Sequence, residues 1–239
     1  MRFSIIIPCY NEADNIVNLV KKIVPLQKKY NLEYVLVENG SIDASKEIFK
    51  NEIEGQYDNI KVVYVNMNQG YGYGIQQGIK KSTGEYVGWI HADLQVSPNT
   101  LINFFEKVEL ECSKTNLLFL KGKRGNRSAF DRFFTNGQSI FNTCLFHKVI
   151  YDVGAIPVLF HHSLIDVIDI DSMPNDFSIE LYVYREAISR GYLVIRIKVD
   201  LLQREKGKSS WNHGLKSKIK QSKIIFCDSL KIKRGEKVC

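Results

Sequence analysis

No apolar run in this 239-residue chain approaches the roughly 18 residues that cross a bilayer. Met1–Pro8 enters a strand pattern without the long apolar core of a secretory leader, so a cytoplasmic protein is expected. Only five prolines are present, and no serine- or proline-rich linker breaks the chain. One domain over 1–211 is therefore expected, followed by a basic tail over 212–239 that reads as helical. Cys9, Cys112, Cys144, Cys227 and Cys239 are odd in number, scattered and without CxxC spacing. That excludes a disulfide framework and a zinc site, leaving reduced thiols. Heptads and fixed repeats are missing, which excludes a coiled coil or solenoid. Zinc fingers, helix-turn-helix patterns and aromatic-interleaved modules are missing too, so no nucleic-acid partner is expected.

What remains is a composition able to bury a substantial core, 44% hydrophobic and 25% charged. The net charge of +7 gathers late, in Lys121–Arg132 and Arg204–Lys237. Such stretches favour phosphates or an anionic lipid surface, with plain solvated surface as the other reading.

Along the first hundred residues strand and helix patterns alternate. Arg2–Pro8 reads as a strand, and Ile16, Leu19, Val20, Ile23 and Val24 recur at helical spacing. Tyr34–Val37 is a second strand ending in Glu38-Asn39-Gly40-Ser41, after which Asp43 caps a helix through Ile53. Val62–Val65 is a third, leading through Gly70, Gly72 and Gly74 into a helix near Ile75–Lys81. Tyr86–Ile90 is a fourth, nearly all apolar, as doubly covered parallel strands are. The pattern specifies an α/β fold with a mostly parallel central sheet flanked by helices. Ligands of such sheets bind beyond the carboxyl ends of the strands, where Glu12, Glu38, Asn39, Asn68 and Asp93 would gather. Later, Thr100–Glu109, Phe133–Ile150 and Asp176–Arg190 read as helices, and Leu117–Lys121 and Tyr192–Val199 as strands.

Two segments concentrate the chemistry. The fourth strand runs directly into His91, Asp93 and Gln95. On an extended chain alternate residues point the same way, so an imidazole, a carboxylate and an amide would converge on a divalent cation that also holds phosphate. The other reading is a polar loop closing a buried strand. The glycine-rich NQGYGYGIQQG resembles a dinucleotide loop without satisfying it. Started at Gly70 the GxGxxG pattern needs glycine at Ile75, and started at Gly72 it needs glycine at Gln77. The glycines instead permit a tight turn and a close approach of helix, sheet or ligand.

Four segments in order, SIIIPCYNEADNI, VENGSID, NQGYGYGIQQGIKKSTGEYV and HADLQ, resemble the family-2 glycosyltransferases of GT-A fold. The likeness is strongest to the branch of dolichyl- and polyprenyl-phosphate mannose synthases, and it covers about Arg2–Trp211. It implies the GT-A nucleotide-diphospho-sugar transferase fold and inverting transfer from a UDP- or GDP-sugar. The acceptor would be a polyprenyl phosphate or a glycan hydroxyl, in cell-envelope or polysaccharide biosynthesis. A peripheral position at the inner membrane face fits that acceptor. By the same resemblance, Pro8, Tyr10, Glu12, Asn39, His91 and Ala92 border the nucleotide, and Asp93 and Gln95 ligate Mn2+ or Mg2+. His91 stands where the family has the first acid of its DxD, and Asn39 where an acid commonly reads the base. QREKGKSSW resembles a late R-x-x-G-x-S segment, so Arg204, Lys208 and Ser209 are expected at the diphosphate. Arg124 and Arg132 match arginines that serve a lipid phosphate. Asp176, catalytic with Asp93 in this reading, stands where related enzymes carry the base for a hydroxyl acceptor; a helix cap is its other reading, and Glu180 is the reserve. The competing function is a nucleotide-sugar-binding protein of the same fold without catalysis. A nucleotidyltransferase is disfavoured, since CYNEADN stands where its glycine- and lysine-rich loop belongs.

Overall fold

The computed structural model of the chain describes residues 1–125, 129–202 and 215–236. Its strands are β1 (Phe3–Cys9), β2 (Leu32–Asn39), β3 (Ile60–Val65), β4 (Tyr86–Trp89), β5 (Leu118–Arg124), β6 (Val158–His161) and β7 (Leu193–Val199). The helices are α1 (Ala13–Gln27), α2 (Ser45–Ile48), α3 (Tyr71–Ile79), α4 (Thr100–Glu111), α5 (Ala129–Phe146), α6 (Ile179–Ser189) and α7 (Leu215–Arg234). The strands form one sheet in the order β3-β2-β1-β4-β6-β5-β7. All pairings are parallel except those of β6, which runs against both β4 and β5.

The expected mostly parallel α/β sheet is present, and the first three βα units follow the sequence pattern. Phe3, Ile5 and Ile7 face a core with Ile16, Leu19 and Phe104, while Ile6 and Trp89 face another with Ile75, Ile179 and Val183. Burial on both faces explains why β1 and β2 read as unbroken apolar runs. Pro8 is tolerated inside β1 because β4 pairs only as far as Ile6↔Trp89, so the missing N–H deprives no ladder on that side. Beyond Ile48 the expected α-helix widens into a π turn over Phe49–Ile53. The N-cap of this segment is Ala44 rather than Asp43, and Asp43 sits one residue earlier with its Oδ1 accepting from Ser45 N at 3.0 Å.

The reversed strand β6 was not expected. It is four residues long and follows Pro157, so the apolar run around it carries no period of its own. Room for it comes from glycine on both neighbours. A Cβ on Gly88 would lie 2.1 Å from the Val158 carbonyl oxygen, and one on Gly122 would lie 2.4 Å from that of Ile156. The register then aligns Ile6, Trp89, Val158, Lys121 and Arg196 in one row across five strands. Partners in register leave the sheet on the same face, so a buried lysine and an arginine end the row that begins with Ile6.

Candidate functional site

The carboxyl ends of β1, β2 and β4 are tied together by short polar links. Asn11 N donates to Ser41 Oγ at 3.1 Å and Ile42 N to Asn11 Oδ1 at 2.9 Å, joining the loops after β1 and β2. Glu12 is half-buried; its backbone N–H donates to Ser45 Oγ at 3.0 Å, and its carboxylate accepts from Asn15 Nδ2 at 2.6 Å. Pro8 is buried and Tyr10 half-buried beside them.

Asn39 is 2% exposed and faces α3. Its Nδ2 donates to the Gly70 carbonyl at 3.0 Å, and its own carbonyl accepts from Asn68 Nδ2 at 2.8 Å. A Cβ on Gly74 would come within 2.9 Å of its side chain. Asn39 Oδ1 and Glu38 Oε2 are buried without a hydrogen-bond partner. Each is an orphan on its own face of the sheet, since consecutive strand residues point opposite ways, and both are unusual because buried polar atoms are as a rule satisfied.

The helix expected near Ile75–Lys81 begins at Tyr71 and takes Gly72 and Gly74 into its first turns, and the glycines there are explained by the loop 174–176. At Gly70 the φ is +113°, and an added Cβ there would lie 2.3 Å from the Asn175 carbonyl oxygen. At Gly72 it would lie 2.2 Å from the Pro174 oxygen. Tyr73 N donates to Asn175 O at 3.1 Å, and Gln76 Nε2 donates to the carbonyls of Met173 and Pro174. Backbone meets backbone here, which only glycine permits.

At the exit of β4 the expected extended HADLQ is instead a turn. The strand stops at Trp89, residues 92–93 turn, and Leu94 adopts φ +58°. The two-residue alternation that was to align His91, Asp93 and Gln95 therefore ends before it reaches them. Asp93 is 9% exposed, and its Oδ1 accepts from Gln95 N at 3.1 Å. Ala92 is buried, and Gln95 O accepts from Leu202 N at 2.8 Å, so the chain leading to Arg204 departs from beside Asp93. Arg204, Lys208 and Ser209 themselves lie outside the described residues. No group of three or more His, Cys, Asp or Glu side chains among the described residues could cage a metal. The donor set present, one carboxylate, one imidazole and one amide, fits a cation completed by phosphate oxygens rather than an all-protein cage.

Behind that turn lies a network the sequence reading missed. Glu180, 4% exposed on α6, accepts from Trp89 Nε1 at 2.6 Å and from Tyr71 Oη at 3.3 Å through one oxygen. Its other oxygen accepts from Lys121 Nζ at 2.8 Å. Tyr71 Oη also meets His91 Nε2 at 3.1 Å, and its ring stacks on Phe177. Burial, then Glu180 and Asp93, push the Tyr71 phenol well above its ordinary range. Burial pushes the Lys121 ammonium down, against the pull of Glu180. Glu180 is thus fully engaged and is no reserve base. A lysine inside the apolar run LLFLK and a glutamate on the apolar face of α6 were the available hints.

Asp176 is half-buried, and its Oδ1 accepts from Ser178 N at 2.8 Å, two residues before the N-cap of α6, which is Ser178. Ser178 Oγ donates to Asp228 Oδ2 at 2.7 Å, bringing α7 to the same corner. Burial raises the Asp228 carboxyl above its ordinary value, and neighbouring Asp176 adds to that. Arg124 does not project freely: its Nε donates to Asp152 Oδ1 at 3.0 Å, and its Nη2 holds the same oxygen. Arg132 is exposed on α5.

The model of Glycosyl transferase family 2 matches residues 4–146. The chain is 30% identical over 109 residues to an undecaprenyl-phosphate 4-deoxy-4-formamido-L-arabinose transferase of Pseudomonas fluorescens (strain SBW25), covering 45% of this chain and 32% of that protein. It is 27% identical over 158 residues to a dolichol-phosphate mannosyltransferase of Pyrococcus furiosus, covering 66% and 40%. The matches thus span between a third and two fifths of those relatives' lengths. A solved structure of glucosyl-3-phosphoglycerate synthase from Mycobacterium tuberculosis with Mn2+, UDP and glucosyl-3-phosphoglycerate superposes with a TM-score of 0.70. It covers 98% of this chain and 80% of that one at 15% identity, a likeness of fold.

Proposed function

This chain belongs to glycosyl transferase family 2, and from that premise we propose that it moves a sugar, with inversion, from a UDP- or GDP-sugar to a polyprenyl phosphate. A glycan hydroxyl is the other acceptor within this reading, and cell-envelope or polysaccharide synthesis the setting. The observation that carries it is the linked set of strand exits, with two orphaned acceptors at β2 and a carboxylate and imidazole at β4. The names of the relatives from Pseudomonas and Pyrococcus favour the lipid-phosphate acceptor.

In this mechanism Pro8, Tyr10, Glu12, Asn39, His91 and Ala92 border the nucleotide, the unpartnered Asn39 Oδ1 accepting from the base. Asp93, with Gln95, would hold a divalent cation, Mn2+ or Mg2+, which when bound would supply Lewis-acid stabilisation of the charge on the departing diphosphate. Arg204, Lys208 and Ser209 are assigned to that diphosphate by the family resemblance alone. An anionic acceptor attacks without losing a proton, so Arg124 and Arg132 guide it. For Arg124 this means sharing its guanidinium with Asp152. A hydroxyl acceptor instead gives its proton to Asp176. No helix among the described residues is long and apolar enough to cross a membrane. Phe133 and Ile140 on α5 are 72% and 65% exposed, beside an apolar cavity of about 180 Å³ between α5 and α7. This face supports peripheral attachment at the cytoplasmic side, with 1–211 as the transferase domain and 212–239 as a basic, helical tail.

The test is donor hydrolysis and transfer with UDP- and GDP-sugars, with and without Mn2+. Turnover is expected to fall at least about a hundredfold in Asp93→Ala, in line with the loss of a charge-stabilising group; unchanged turnover contradicts the role. The bracketing of Asn39 by α3 and the capture of His91 by Tyr71 favour one second reading, a binding protein without catalysis. Nucleotide binding indifferent to metal, with no turnover on any donor, would support that instead.

A further inference from the structure

Three local costs meet where β5, β7 and the loop before β6 come together. Asp152 is 3% exposed and adopts φ +45°, a conformation uncommon for any residue but glycine. Arg196 on β7 leaves its Nε buried without a hydrogen-bond partner. One carboxylate also serves two guanidiniums: Arg124 holds Asp152 Oδ1 through Nε at 3.0 Å and through Nη2, while Arg196 Nη2 stands 3.9 Å from Oδ2. Among the described residues no other carboxylate meets either arginine. Lys121, close by, is balanced by Glu180 at 2.8 Å. Two guanidiniums against one carboxylate leave one surplus positive charge, on arginines only 20% and 18% exposed. A strained backbone, an unpaired buried donor and an uncompensated charge each destabilise the fold, and such features gather where function requires them.

Arg196 is tied down from several sides. Its Nη1 donates to the Tyr151 carbonyl at 2.8 Å and its Nη2 to that of Asp152 at 3.4 Å, and its guanidinium lies 5.8 Å from the ring centroids of both Tyr151 and Tyr184. What it offers a ligand is therefore charge rather than a mobile side chain. A carboxylate facing a single guanidinium makes a neutral pair, which draws in no anion. Shared between two, it cancels neither. Arg124 Nη1 takes part in none of these bonds. We propose that Arg196 is a positioning residue that keeps Asp152 from cancelling the charge of Arg124, leaving that guanidinium oriented and electropositive toward the phosphate group of an incoming acceptor. The inference rests on the anionic-acceptor reading and deepens it: Asp152 sets the direction of Arg124, and Arg196 supplies the surplus charge. At an effective dielectric of about 20, a unit charge some 7 Å from a bound phosphate changes its affinity by about tenfold once partial exposure is allowed for.

The experiment is calorimetric titration of the full chain at low salt with farnesyl phosphate and, separately, with inorganic phosphate. Tighter binding of farnesyl phosphate is expected and identifies a lipid-borne group; equal binding identifies the free anion, and either sustains the site. The variants carry the decision. Arg196→Met should weaken binding by about tenfold, whereas Arg196→Lys, which keeps the charge, should retain most of it. Asp152→Asn suits the positive φ and should strengthen binding. Asp152→Asn added to Arg196→Met should bring affinity back to the wild-type level, because the cluster again carries one surplus charge; a merely structural arginine is not rescued by neutralising its partner. Wild-type affinity in Arg196→Met, a double variant no better than Arg196→Met, or a wild type that binds neither probe would overturn the proposal. If Arg196→Met fails to fold, Asp152→Asn decides, and binding no tighter than wild type overturns it equally. Failure of the transferase reading looks different: the pattern of affinities would stand while no nucleotide sugar turns over with any acceptor.

Discussion

Replacing Lys121 by methionine keeps most of the side-chain volume of a fully buried residue and removes its charge. Glu180 is then left as a carboxylate at 4% exposure, its remaining donors being Trp89 Nε1 at 2.6 Å and Tyr71 Oη at 3.3 Å. Breaking a buried pair by removing one member costs about 3–5 kcal/mol, because the other charge stays desolvated. The two surviving hydrogen bonds place Lys121→Met at the lower end, about 3 kcal/mol. Glu180→Gln added to Lys121→Met removes the stranded charge and keeps an acceptor for Trp89, so the double variant should lose only about half as much. Urea unfolding of the wild type, both single variants and the double variant gives the coupling directly, provided the slopes agree. A Lys121→Met loss below about 1 kcal/mol, or a double variant that equals the sum of the singles, would refute the description of Glu180 as a charge held by Lys121.

Gly72→Ala drives a methyl to 2.2 Å from the Pro174 oxygen and 2.7 Å from that of Asp176, so the loop carrying Asp176 must move. Stability should drop by about 1–3 kcal/mol in thermal unfolding, with transfer activity falling further than stability explains. Asn39→Asp, which brings back the acid of the family pattern, loses the Nδ2 donor to Gly70 O and sets a carboxylate against that carbonyl. A loss of about 1–3 kcal/mol is expected, and a gain in stability would contradict the bracket described for Asn39. Burial raises Glu33, but hydrogen bonds from Ser4, Lys61 and Thr83 outweigh it and lower its carboxyl from 4.5 to about 2. The folded value lies below the unfolded one, so this stabilisation is complete above pH 4.5 and is lost as pH falls toward 2. Its size is about 2 kcal/mol after allowing for the half-exposed Arg2 and Lys61, and Glu33→Gln should flatten that part of the pH–stability curve.

The first half of the molecule was legible because doubly buried parallel strands write themselves as apolar runs ending in polar turns, as β1, β2 and β4 do. The reversed strand was not, since four residues after a proline hold no period, and its lodging depends on Gly88 and Gly122 two strands apart. The role of the glycines before α3 was readable as close approach, but what approaches is a loop a hundred residues later. At the β4 exit the residue types were visible while their geometry was not: a positive φ at Leu94 is set by the surrounding turn, which sequence spacing does not encode. The Glu180 network was hidden for a similar reason. Trp89 and Lys121 become neighbours only through the β4–β6–β5 register.

That register has a consequence for how such a molecule can diversify. Because β6 lies between β4 and β5, the parallel strands β1 to β4 and the strands that carry Lys121, Arg124 and Arg196 share no ladder, and the two are joined instead by Glu180 and by an apolar core common to both. Residues beyond the interposed strand are therefore free to change only where they leave that common core and the partners of Glu180 in place.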